Sequence, residues 1–156
     1  MKAFGKVVLL ALAAVPFVAV AADEPKDQAG LSCIKDIQFS HEFLERYPNA
    51  APACREVKVQ DGQKWARFET KVKSVKKGNV TVDVLNVRGD SLATVTIAPP
   101  ADATLKVEGK QTKYSSLRAG DTLDLWMPEN RFGFYSEAGA AKLTELPIVK
   151  DTAAQK

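Results

Sequence analysis

KWARFETKVKSV, residues 64–75, alternates with a period of two: Ala66, Phe68, Thr70 and Val72 fall on one side, Arg67, Glu69, Lys71 and Lys73 on the other. An extended chain sends successive side chains to opposite faces, so the first set belongs to a core and the second to solvent. NVTVDV (79–84) repeats the pattern with Val80, Val82 and Val84 inward. ATLKVE (103–108) does so with Leu105 and Val107, and DTLDLWM (121–127) with Leu123, Leu125 and Met127. This is the signature of antiparallel strands with one wet face.

Between these stretches lie Asp61-Gly62, Gly78-Asn79, Arg88-Gly89-Asp90, Glu108-Gly109-Lys110, Ala119-Gly120-Asp121 and Pro128-Glu129-Asn130. Glycine and asparagine accept the backbone angles of tight turns, and proline interrupts a central strand. About seven short strands so punctuated predict an all-β fold, a small antiparallel OB-like barrel, with a two-sheet sandwich as the alternative. The segment after Gly139, with Leu143, Leu146, Ile148 and Val149, is expected to add a last edge strand.

Upstream of the strands the period changes. In SHEFLERYPNAAP, Ser40 is placed to cap a short helix carrying Phe43, Leu44 and Tyr47, and Pro48 to end it. Cys33 and Cys54, the only cysteines, bracket this segment. An isolated pair in an exported chain reads as a disulfide rather than a zinc site, which needs four ligands, or a redox pair, which is closely spaced.

Export is read from the first residues, MKAFGKVVLLALAAVPFVAVAADEP: Lys2 and Lys6, an apolar run, then small residues at Ala19, Ala21 and Ala22. That layout is a signal peptide over residues 1–22, cut after Ala21 or Ala22. The run is shorter than a membrane span requires and Pro16 breaks it. Residues 23–30 read as a flexible leader, 31–150 as one domain and 151–156 as a disordered tail. Cys33 lies too far beyond the apolar run to be a lipidated N-terminal cysteine. Removing Lys2 and Lys6 takes the formal charge of +3 down to +1, which leaves no concentrated basic field for nucleic acid.

Residues able to carry chemistry are few. The single histidine, His41, has no nucleophile or second ligand beside it in sequence, and no glycine-rich phosphate loop is present. No metal or cofactor is expected. Asp121, Asp124 and Glu129 are the nearest acids to a catalytic pair, but Asp121 sits at a turn and Asp124 alternates outward. Arg88-Gly89-Asp90 matches an integrin-recognition string and also reads as an ordinary hairpin turn.

The aromatic residues are more informative. A two-residue turn at Glu129 and Asn130 would set Met127 opposite Phe132, Leu125 opposite Phe134 and Trp126 opposite Gly133. Trp126 would then shield the glycine from the outer face, a structural role. Alternatively Trp126, Tyr135 and Trp65, with Arg67 and Arg131, form an exposed aromatic and basic platform for a sugar, peptide or protein.

The segment ATLKVEGKQTKYSSLRAGDTLDLWMPE (103–129) resembles small exported bacterial OB-like β-barrel domains of unknown function. The resemblance rests on Leu105, Val107, Gly109, Lys110, Leu117, Gly120, Asp121, Leu123 and Leu125. It implies a fold and no activity; Leu117 would plug the barrel end and Gly120 would permit the reversal. The functional expectation is a non-catalytic binding or interaction module of the periplasm, partnering an envelope protein, peptide or glycan. A hydrolase built on acidic residues, or an enzyme inhibitor presenting residues 48–52, are the rivals.

Overall fold

The alternating segments are strands in the computed structural model, which describes residues 30–48, 51–107, 109–139 and 142–149. The expected signal peptide (1–22), most of the leader and the tail (151–156) lie outside the described residues. The strands are β1 (Cys54–Gln60), β2 (Gln63–Lys76), β3 (Asn79–Leu85), β4 (Ser91–Ile97), β5 (Thr104–Val107), β6 (Lys110–Lys113), β7 (Thr122–Pro128), β8 (Phe134–Ala138) and β9 (Lys142–Leu146). One helix, α1 (His41–Arg46), precedes them.

The main sheet runs β4-β3-β2-β7-β8-β9, with β1 also on β2, while β5 and β6 form a separate hairpin. β2 organises it. Residues 65–71 pair with β7, overlapping both the part paired with β1 and the part paired with β3, so β1 and β3 share the opposite edge. A bulge between Val72 and Ser74 shifts the inward parity, which is why Val75 also packs against the core. The two ends of the sheet approach each other without closing. β4 and the chain after β9 touch at one bridge, Ile97 with Ile148, where Ala98 N–H donates to Pro147 O and Val149 N–H to Thr96 O. This contact is no continuous ladder, and the sheet is not closed into a barrel.

Of the residues expected inward, Phe68, Val80, Val82, Leu123, Leu125 and Met127 are fully buried, whereas Val107 is half-buried; Ile97 of β4, which carried no expectation, is fully buried with them, and Leu117 packs in the same core. Thr70 is buried too, its hydroxyl donating to Leu123 O at 3.0 Å. The β1–β2 turn places Asp61 and Gly62 at φ of +54° and +73°, a left-handed pair that matches the strand twist. At the next hairpin the left-handed pair is Lys77 and Gly78, one residue before the Gly78-Asn79 expected, because Asn79 already pairs with Lys76.

Ser40 caps α1, its Oγ accepting from Phe43 N–H at 3.3 Å. Phe43 is buried, whereas Leu44, expected on the same apolar face, lies at the surface. Phe39 and Phe43 place their rings 5.9 and 6.0 Å from that of Phe68. Cys33 and Cys54 are joined in a disulfide with Cα atoms 5.7 Å apart. The helical segment is thus held both covalently and by aromatic packing.

Tyr114, in a 3-10 turn before β7, is buried, and its hydroxyl donates to Ser136 Oγ. Burial raises its pKa to about 12, the Ser136 bond opposing only part of that rise. An unfolded tyrosine ionises near 10, so above that pH the unfolded chain loses a proton that the folded chain keeps. The contribution of Tyr114 to stability is therefore fully present below about pH 10, and about 2 kcal/mol of it is lost by pH 12. Urea unfolding of Tyr114→Phe is expected to lack this alkaline decline.

Candidate functional site

Strand pairing builds a row of side chains across the outer face. Glu56 of β1 lies opposite Arg67 of β2, Arg67 opposite Trp126 of β7, Trp126 opposite Tyr135 of β8, and Tyr135 opposite Glu145 of β9. Arg67 is held from two sides: its Nε donates to Glu56 Oε2 at 2.7 Å and its Nη1 to Asp124 Oδ1 at 2.9 Å. Burial works against the guanidinium charge, but the two carboxylates outweigh it and raise the Arg67 pKa.

The aromatic side chains do not form the exposed platform that alternation suggests. Trp126, Trp65 and Tyr135 retain only 4, 8 and 6% of their surface, forming with Leu143 a second apolar cluster on the side of the sheet away from the main core. Trp65 packs edge-on to Tyr135 at 4.9 Å. Lys58 covers Trp126, its ammonium 3.8 Å from the ring centroid and 2.5 Å from Glu137 Oε1. Arg131 lies 5.2 Å over the Tyr135 ring. The long basic side chains lie over the rings and cover them, so alternation places the aromatics on the right face but misjudges their access.

The turn after β7 is also longer than the two-residue turn expected. Trp126 pairs with Tyr135, not with Gly133, so the register is displaced by two residues from that of a turn at Glu129 and Asn130. Two interactions explain the longer loop. Glu129 N–H is drawn to Lys64 O at 3.1 Å, extending the contact with β2. Phe132 turns inward to meet Phe43 and Tyr47. It is Tyr135, 3.6 Å from where a side chain on Gly133 would begin, that stands over the glycine.

β7 and β8 pair only at Trp126 with Tyr135. Alongside Asp124 and Glu137, Leu105 and Lys106 of β5 line the gap, and a groove of about 310 Å³ results. Its acids are Glu56, Asp124 and Glu137, its bases Arg67 and Lys106; Trp126 and Ser136 complete it with Leu105. Of the expected site residues, Arg67 and Trp126 line this groove, Trp65 and Tyr135 are buried beside it, and Arg131 lies over Tyr135. Glu56, Lys58, Lys106, Ser136 and Glu137 were not legible as site residues. The register implied by Asp61-Gly62 already sets Glu56 against Arg67; the part played by β5 has no local signal.

The other candidate residues have local roles. His41 is exposed and pairs with Glu45 one turn on, at 2.9 Å. Asp121 Oδ2 accepts from Arg118 N–H at 2.7 Å, capping a turn. Glu129 meets Lys64 at 3.8 Å. The Arg88-Gly89-Asp90 turn is drawn back on Asn86, whose side chain accepts from Arg88 and Asp90 N–H and donates to Asp90 Oδ2. No group of metal-binding side chains occurs among the described residues.

Comparison with family models, curated proteins and solved structures finds no match to this chain.

Proposed function

We propose that the protein is an exported periplasmic binding module of the cell envelope, non-catalytic, whose ligand site is the Arg67 groove, built on an OB-like scaffold. The observation that carries the binding reading is the groove itself: a concavity of about 310 Å³ whose guanidinium is fixed in place by two carboxylates before any ligand arrives. Small-molecule clefts begin near this size, and a preorganised polar group lowers the entropy lost on binding. Glu56 and Asp124 converge on Arg67 rather than on each other. Both acids are thus engaged in positioning, which favours recognition over hydrolysis. Export is supported by the leader pattern and by the disulfide; no helix among the described residues is long and apolar enough to cross a membrane. The OB-like scaffold is supported by the long, bulged β2 that serves strands on both edges and by the approach of Ile97 to Ile148.

Immobilised mature protein is expected to retain a component of an envelope extract, and the double variant Asp124→Lys/Lys106→Glu to lose it. Exposed ion pairs are worth about 0–1 kcal/mol, so the variant's thermal midpoint should stay within a few degrees of the parent. Equal retention by parent and variant would remove the groove from the binding reading.

A further inference from the structure

We infer that the groove takes a neutral, hydroxyl-rich ligand, a carbohydrate chain, an assignment that rests on the binding reading above. The fixed charges decide it. Glu56, Asp124 and Glu137 are set against Arg67, Lys106 and the neighbouring Lys58, so the groove presents no net field to select an anion or a cation. An anionic ligand reaching Arg67 would approach the carboxylates that hold it. A cationic one would meet acids whose charge is already paired with Arg67 or Lys58.

What remains is a dense strip of mixed hydrogen-bonding capacity. Arg67 uses Nε and one N–H of Nη1 on its two carboxylates and keeps its other donors. Each acid uses one oxygen on its basic partner. Donors and acceptors therefore stand side by side at each ion pair, and a hydroxyl, which both donates and accepts, matches them without a change of protonation. Vicinal hydroxyls are suited to bridge a planar guanidinium and an adjacent carboxylate. Leu105 and Trp126 line the groove but keep only 2 and 4% of their surface exposed, so recognition falls to the polar groups rather than to ring stacking.

The test is a titration of the disulfide-bonded protein with three probes: a neutral tetrasaccharide, its uronic-acid counterpart and a capped cationic tetrapeptide, followed by amide and indole chemical shifts. Saturable shifts confined to the surroundings of Arg67, Trp126, Ser136 and Glu137 are expected with the neutral sugar. Arg67→Lys should weaken that binding about tenfold, because the ammonium loses the planar fork; Asp124→Asn is the second variant should the first misfold. Saturation of the groove by the acidic sugar or the peptide, with none by the neutral sugar, overturns the carbohydrate assignment and leaves the binding reading standing. No shift at the groove with any probe also overturns the assignment, and the binding reading then stands or falls by the retention experiment.

Discussion

Phe68→Ala is expected to lower the free energy of unfolding by about 4 kcal/mol, the loss typical of a large aromatic removed from a packed interior. Phe68 has no exposed surface, and its backbone lies in β2 between Cys54 of β1 and Leu125 of β7. Its ring contacts those of Phe39 and Phe43 from the helical segment and of Phe134 from β8. One side chain therefore joins three parts of the chain distant in sequence. Small domains have about 5–15 kcal/mol of stability in all, so the variant should be marginal. With a urea dependence of about 1.5 kcal/mol per molar, the midpoint falls by more than 2 M. Phe68→Leu should cost about 1.5 kcal/mol or less. Phe68→Ala and Phe43→Ala should combine non-additively, since the two rings touch. A loss below about 1 kcal/mol for Phe68→Ala would show that this ring does not join the helix to the sheet.

What the sequence discloses is what depends on alternation and on two-residue turns. Ala66, Phe68, Thr70 and Val72 are buried as their period requires, as are Leu123, Leu125 and Met127, because the inward side of a strand follows from its own residues. The β1–β2 register follows from Asp61-Gly62 in the same way, and with it the pairing of Glu56 with Arg67. The β7–β8 register does not, because it depends on Phe132 finding Phe43 and on Glu129 finding Lys64, partners more than 60 residues away. The access of Trp126 fails for a related reason: its cover, Lys58, comes from β1, and alternation reports which face a side chain takes without reporting what lies over it. The groove needs β5 at the parting of β7 and β8, a tertiary arrangement with no periodic signature.

Cys33→Ala/Cys54→Ala is expected to destabilise the protein by about 3 kcal/mol, since the bond closes a loop with a sequence separation of 21 and the entropy of the opened loop returns to the unfolded chain. For a domain of this size the thermal midpoint should fall by roughly 10 °C. The native arrangement should nevertheless persist. Ile37, Phe39 and Phe43 bury their side chains against the sheet independently of the sulfur bond, and each large apolar side chain so buried contributes about 2 kcal/mol. Near-ultraviolet circular dichroism of the variant should therefore stay native-like at 25 °C, with amide exchange accelerated mainly before β1. In the Phe43→Ala background, by contrast, removing the disulfide should release the segment, which limited proteolysis between Cys33 and Cys54 would report. Glu56 and Lys58 lie beyond the register shift after Cys54 and are held by their own ladder to β2 through the Asp61-Gly62 turn. Opening the disulfide should thus leave the groove's affinity within about twofold. A much larger change would mean that the covalent link, rather than the β1–β2 hairpin, sets the position of Glu56 against Arg67.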